Sequence, residues 1–270
     1  MELTVNGQSA YAYTGNKPFD PALPTVVFLH GALNDHSVWT LLARWFANHG
    51  HSVLAVDLPG HMRSAGAPLP SVEALADWTV ALMDAAQVQT AALVGHSMGS
   101  LIALQAASIS PARVSALVMV GTAVPMKVSQ VLLDLSRDDP NAAIDMVVTF
   151  SHSSLAAKPS YPGPGSWLRG GARALMQKVQ KASQHQTGKS GLFFHDFSVC
   201  NNYTAGLEAA KSVTCPVTLI LGRADQMTPS KSARDIASAL DATVHELDAG
   251  HSLMTEAPDA LLAVLRAVVK

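Results

Sequence analysis

The feature that most constrains this chain is an alternation. Short apolar runs rich in β-branched residues are separated by longer segments of helical periodicity. The runs are "TVVFL" from Thr25, "HSVLAV" from His51, "TAALVG" from Thr90, "VSALVMVG" from Val114, "CPVTLILG" from Cys215 and "TVHELDAG" from Thr243. Most are apolar at consecutive rather than alternate positions, which is the pattern of a strand covered on both faces. Between them the spacing predicts helices from Trp39 to Gly50, from Ser71 to Ala86, from Met98 to about Ile109 and from Ser230 to Leu240, with a last helix running to Lys270. Ser71 is placed to cap its helix, with Glu73 and Asp77 toward the positive end. Strands separated by single helices demand right-handed crossovers, so the expected architecture is α/β, with a mostly parallel sheet and helices on both faces.

The alternation is interrupted once. Residues 122–205 carry helical patterns (Ser129 to Leu135, Asn141 to Phe150, Ser166 to Gln184) and the turn-rich "KPSYPGPGS", but no parallel strand signal. An insertion of this size between two sheet strands is a candidate lid. The expected organisation is a core of residues 1–121 and 206–270 with a helical cap at 122–205. Within the cap, Arg169, Arg173, Lys178, Lys181 and Lys189 fall between Ser166 and His195 with no acidic residue among them. A solvated helix face accounts for that bias.

Composition narrows the function classes. With 49% apolar and 14% charged residues and a net charge of -2, the chain is ordered and lacks the basic footprint of a nucleic-acid binder. The opening "MELTVNGQSA" has no leader-like apolar core, and no apolar run reaches about 18 residues, so a cytoplasmic protein without membrane attachment is expected. Cys200 and Cys215 form neither a disulfide framework nor a zinc motif and are read as free thiols. No metal or organic cofactor is expected.

In an open parallel sheet, ligands gather beyond the carboxyl ends of the strands. The residues that leave those ends here are His30-Gly31-Ala32-Leu33, Gly95-His96-Ser97-Met98-Gly99, Arg223-Ala224-Asp225 and His251. A serine hydroxyl is a weak nucleophile near neutral pH. It needs a base in reach, and the base needs a partner that fixes its tautomer. Ser97, His251 and Asp225 can fill those three roles. Gly95 and Gly99 permit the sharp strand-to-helix elbow that presents Ser97, and the backbone N–H groups of Ala32 and Met98 are the natural donors for an oxyanion.

With these residues in place, the chain resembles the α/β-hydrolase superfamily in its capped, single-domain form. The resemblance covers nearly the whole chain through "FLHGALNDHSVW", "VLAVDLPGHMRSAG", "LVGHSMGS", "LILGRADQMTP" and "AGHSLMTEAPD", in the family's Ser, Asp, His order. It implies an α/β-hydrolase fold with a helical cap, Ser97 as nucleophile, Asp225 as orienting acid, His251 as base, and Ala32 and Met98 as oxyanion donors. Met62 departs from the pattern, standing where a glycine is usual. The loop after His30-Gly31 also lacks the extra glycines of some carbon-carbon bond hydrolases.

Other residues are read more plainly. Asp57 organises its own turn, His30 positions its loop, and the elbow turns His96 away from Ser97. Trp39, Trp45 and Trp78 are core residues on spacing, whereas Trp167, Leu33 and Met227 are candidates to line a substrate pocket. "GLFFHDF" (Gly191 to Phe197) is either the underside of the cap or ordinary packing. The expected activity is hydrolysis of a small to medium, largely apolar carboxylic ester through an acyl-enzyme, with a small-molecule ester as substrate and neither nucleic acid nor membrane as partner. Carbon-carbon bond hydrolysis, lactone opening and peracid formation can use the same triad. A lid-gated small-molecule sensor with little turnover is the alternative from another class.

Overall fold

In the computed structural model, which describes residues 1–158, 160–163, 166–187 and 191–270, eight strands form one sheet in the order β1-β2-β4-β3-β5-β6-β7-β8. The strands are β1 (Glu2–Val5), β2 (Gln8–Tyr13), β3 (Thr25–Leu29), β4 (Ser52–Val56), β5 (Ala91–His96), β6 (Val114–Val120), β7 (Val217–Gly222) and β8 (Thr243–Leu247). From β4 to β8 every pairing is parallel, while β1 and β2 add an antiparallel edge. That edge was not anticipated. It is a hairpin closed by Asn6-Gly7, both at positive φ, which is the two-residue turn whose twist matches paired strands.

The consecutive apolar runs have the predicted cause. Val27 and Leu29 of β3, Leu54 and Val56 of β4, and Leu93 of β5 pack into one core cluster. Their neighbours Val26, Phe28, Val53, Ala55, Ala92 and Val94 pack into another on the opposite face. Successive side chains of a strand point to opposite faces, so a strand covered twice must be apolar throughout.

Helices α1 (Thr40–Ala47), α2 (Val72–Ala85) and α3 (Met98–Ile109) precede the insertion. Ser71 caps α2 as expected, its hydroxyl accepting from the Ala74 N–H at 3.2 Å. Between β6 and β7 lie α4 (Gln130–Asp138), α5 (Pro140–Phe150), α6 (Leu168–Thr187), α7 (Gly191–Asn202) and the short α8 (Gly206–Ala210). The chain ends with α9 (Arg234–Ala239), α10 (Leu253–Glu256) and α11 (Pro258–Val268). The inserted helices enclose a third apolar cluster of their own, built from Leu132, Ile144, Val147, Val179, Phe193 and Phe197 among others. The predicted turn-rich stretch includes residues 159, 164 and 165, and these, like Lys189, lie outside the described residues. Arg173 of the basic stretch pairs with Asp145 at 2.7 Å. Among the described residues no helix is long and apolar enough to cross a membrane.

Register decides where the loops emerge. Leu29 pairs with Gly95, His96 with Val120, and Gly222 with Leu247. The segments that follow β3, β5, β7 and β8 therefore leave the same edge of the sheet, and the inserted helices begin after β6 at that edge too.

Candidate active site

Ser97 occupies the single residue between the end of β5 and the start of α3, with φ 52° and ψ −119°. An L residue is strained there, and the surroundings hold it. Its N–H donates to Val120 O at 2.9 Å. A Cβ on Gly95 would stand 2.0 Å from Gly99 O, and one on Gly99 would stand 2.3 Å from Leu29 O, so only hydrogen fits at either place. The turn is therefore as tight as the two glycines suggest, and it leaves Ser97 half-buried at the sheet edge.

Asp225 follows β7 and His251 follows β8. One carboxylate oxygen of Asp225 accepts from the Met227 and Thr228 N–H groups, both at 2.8 Å. The other accepts from His251 Nδ1 at 2.8 Å and from the Thr228 hydroxyl at 2.7 Å. Burial by itself would raise the Asp225 pKa, but His251 and the Thr228 donors outweigh it and hold the carboxyl well below the usual carboxylate range. Because Nδ1–H is committed to Asp225, the lone pair of neutral His251 resides on Nε2. The His251 loop is also fastened to the insertion, since the N–H groups of His251 and Ser252 both donate to Ser151 O, at 2.8 and 3.0 Å.

Ser97 and His251 share the walls of two cavities, yet no hydrogen bond joins them. The Ser97 hydroxyl lies instead 4.0 Å from Met126 Sδ. Gly31 runs beside the serine, where a Cβ would come within 3.1 Å of Ser97 Cβ. The Ala32 and Met98 amides donate to no protein acceptor among the described residues.

The other histidines of this edge separate clearly. His96 Nε2 donates to His251 O at 2.9 Å, and burial pushes the ring's pKa down to about 3, so it is a neutral spacer against His251. His30 Nδ1 donates to Gly31 O at 2.8 Å, while its Nε2 accepts from Leu58 N–H at 3.1 Å. Burial lowers its pKa to about 4, consistent with a neutral ring that ties two loops together. Asp57 accepts from the N–H and Nδ1 of His36 and from Arg63 N–H, an internal turn network. Asp35, His36 and Asp57 bring three potential metal-ligand atoms within 4.8 Å, but the Asp57 oxygens are already occupied by these donors.

The larger cavity has a volume of about 320 Å³, and its wall includes Met126, Leu132, Met146, Phe150 and Met227 beside Ser97 and His251. The smaller, about 70 Å³, lies toward Gly31, His96 and His152. Ala32, Val147, Phe197 and Met227, like Ser97 and His251, belong to both walls. Met227 is thus where a pocket residue was expected, but two other candidates are not. Leu33 is fully buried in the insertion's apolar cluster. Trp167, just before α6, is 64% exposed, its ring folded over Gly170 in that helix's first turn, 2.3 Å from where a Cβ would be. "GLFFHDF" serves both of its anticipated roles, because it begins α7, packs Leu192 and Phe193 inside the insertion, and offers Phe197 to the cavities. Thr228, Ser151 and Asp196 were not anticipated. A hydroxyl three residues beyond the candidate acid was a readable hint for Thr228, whereas Ser151 and Asp196 join the site only through tertiary contacts.

The family model described as alpha/beta hydrolase fold matches residues 24–258. A provisionally named carbamate hydrolase, RutD of Variovorax paradoxus (strain S110), is 30% identical over 212 residues, covering 74% of each chain. The chain spans 26% and 45% of the lengths of the first two curated relatives it matches. The second of these, esterase YbfF of Escherichia coli (strain K12), is 28% identical over 123 residues, or 46% of this chain. The crystal structure of the enol-lactonase from Burkholderia xenovorans LB400 superposes with a TM-score of 0.83 at 19% identity, covering 99% of this chain and 98% of that one, a likeness of fold.

Proposed function

This chain belongs to the alpha/beta hydrolase fold family, and from that premise we propose that it is a serine hydrolase cleaving a carboxylic ester, small to medium in size and largely apolar in its acyl part, through an acyl-enzyme. The observation that carries the reading is the 2.8 Å bond from His251 Nδ1 to Asp225, in the wall of a cavity that also holds Ser97. It leaves His251 Nε2 free to act as a base in the cavity wall that Ser97 shares. Rotation of Ser97 about χ1, away from Met126, completes the pair when substrate enters, since such bonds are commonly loose before substrate arrives.

In the proposed cycle, His251 Nε2 takes the Ser97 proton as Oγ attacks the ester carbon. The Ala32 and Met98 amides receive the charge that develops on the carbonyl oxygen. His251 then gives its proton to the departing alkoxide, which leaves as the alcohol. Water attacks the acyl-enzyme with the same base taking its proton, and the carboxylic acid departs as Ser97 regains its hydrogen.

The two cavities suggest the shape of the substrate. The larger, with three methionines in its wall, suits a flexible apolar acyl chain, because Met adapts to irregular partners. The smaller accepts a short alcohol. Residues 122–205 act as the cap over both, through Val147, Phe150 and Phe197. The names of YbfF and RutD place esters and carbamates first among compounds to try.

Labelling with a fluorophosphonate and mapping the modified residue tests nucleophile, base and access together. Modification at Ser97, with turnover of short and medium p-nitrophenyl esters, is expected. Label on another residue would refute the reading, and thermal stabilisation by such esters without turnover would favour the sensor instead.

A further inference from the structure

Leu33 follows the proposed oxyanion donor Ala32 and has φ 52°. Residues other than glycine enter that region only when their surroundings hold them there. What holds Leu33 comes from the insertion and not from the sheet. Its N–H donates to Asp196 Oδ2 of α7 at 2.8 Å. Its side chain, fully buried, is among the described residues the one buried member of the third apolar cluster that lies outside residues 122–205.

Asp196 has a second partner. Its Oδ2 also accepts from His61 Nε2 at 3.0 Å, while His61 Nδ1 lies 3.1 Å from Pro59 O. Both ring nitrogens face acceptors, an arrangement that favours the protonated ring, paired with a carboxylate in a place where each side chain is 2% exposed. Three segments therefore meet at one carboxylate oxygen: the loop after β3, the turn after β4, and α7.

We infer that Asp196 is a positioning residue. It holds the Ala32–Leu33 loop from the cap, so that seating of α7 and the aim of the Ala32 amide are coupled. The inference rests on the serine-hydrolase reading. Removing Asp196 frees Leu33 to leave its held conformation, and the amide one residue earlier turns with it. The cost falls on the step in which charge develops on oxygen, and ground-state binding in the larger cavity is largely spared.

The test compares the full-length protein and its Asp196→Ala, Asp196→Glu and Asp196→Asn variants on a p-nitrophenyl ester and the matching thionoester, whose sulfur gains less from hydrogen-bond donors. Asp196→Ala is expected to lower kcat on the oxoester by about tenfold or more with KM within about threefold. The oxoester-to-thionoester ratio of kcat should contract with it. Asp196→Asn, whose amide oxygen can still accept from Leu33, should recover most of that loss. Asp196→Glu keeps a charge for His61 but moves the acceptor by one methylene, so it should contract the ratio even if Asp196→Ala fails to fold. An unchanged ratio in Asp196→Glu, or equal losses on both esters, overturns the inference. Turnover surviving in Ser97→Ala would overturn the serine-hydrolase reading instead, and is measured separately.

Discussion

Asp225 and His251, which leave adjacent strands 26 residues apart in the chain, meet at 2.8 Å with the carboxylate also accepting two backbone amides and a hydroxyl. The acid is held so firmly that the role proposed for it is orientation rather than proton exchange. Asp225→Asn should therefore lower kcat on the order of 10³-fold or more, with KM little changed, because the amide favours the wrong tautomer of His251. Steady-state kinetics on one p-nitrophenyl ester decides it, and a loss below about tenfold would remove Asp225 from the proposed triad.

Ser97, the proposed nucleophile, sits in a strained conformation. Ser97→Ala is expected to abolish turnover, on the order of 10⁵-fold or more, while leaving the fold intact. Ser97→Gly should be the more stable of the two by about 1 kcal/mol, because glycine meets no penalty at φ 52°. Urea unfolding of both variants checks the ordering, and a more stable alanine variant would contradict it.

The elbow glycines set a different limit. Gly95→Ala places a Cβ 2.0 Å from Gly99 O, a backbone atom and not the end of a movable side chain. Neither β5 nor α3 can yield without disturbing buried neighbours, so the expected cost is about 3 kcal/mol. Chemical denaturation measures it, and a change below about 1 kcal/mol would show that the approach of strand and helix is looser than described.

Phe197 lines both cavities and packs on Phe193 with ring centroids 4.4 Å apart. Phe197→Ala should merge the cavities, raising kcat/KM for esters bulky on both sides relative to those with a short alcohol. It should also cost about 3 kcal/mol in stability, as for a large buried aromatic truncated to alanine. A chain-length series of esters on both sides supplies the readout, and an unaltered preference would count against the partition.

The His61–Asp196 pair makes stability depend on pH. Burial drives the His61 pKa down, but the Asp196 charge outweighs it and leaves the ring above its ordinary 6.5. For Asp196, burial acts upward, and His61 with the Leu33 amide outweighs it, leaving the acid below 3.8. The His61 contribution is fully present below its unfolded value and fades as pH rises through its raised one. The Asp196 contribution is present above its unfolded value and fades as pH falls through its lowered one. His30 and Asp57 beside His61, and His195 beside Asp196, face the pair as well. The Tm difference between the unsubstituted protein and Asp196→Asn should be widest at about pH 5 and narrow on both sides. A difference that kept growing into the alkaline range would be incompatible with this pair.

Much of the architecture was legible because its causes are local. The doubly covered strands are apolar at every position, as in Val26 to Leu29, and Ser71 announces its helix. The N-terminal hairpin was legible too, through Asn6-Gly7 between two short alternating segments, although that stretch was weighed above only for a leader. Trp167 and Leu33 were misjudged for a common reason. An aromatic or apolar residue near a site can face a cavity, its own helix or a neighbouring cluster, and chain order does not distinguish these.

By itself the sequence determined the order of strands and helices, the glycines that let Ser97 stand at a tight elbow, and the candidate acid and base beyond later strands. These follow from propensity, steric size and the period of apolar residues, which act over a few positions. Only the tertiary structure decided which groups meet. It brought Thr228 to the Asp225 carboxylate, Ser151 to the His251 loop, and Asp196 of α7 to Leu33 and His61. Those contacts join residues as far as 163 positions apart. They depend on how an inserted set of helices packs its own apolar cluster against the sheet edge, and no local pattern in the chain encodes that docking.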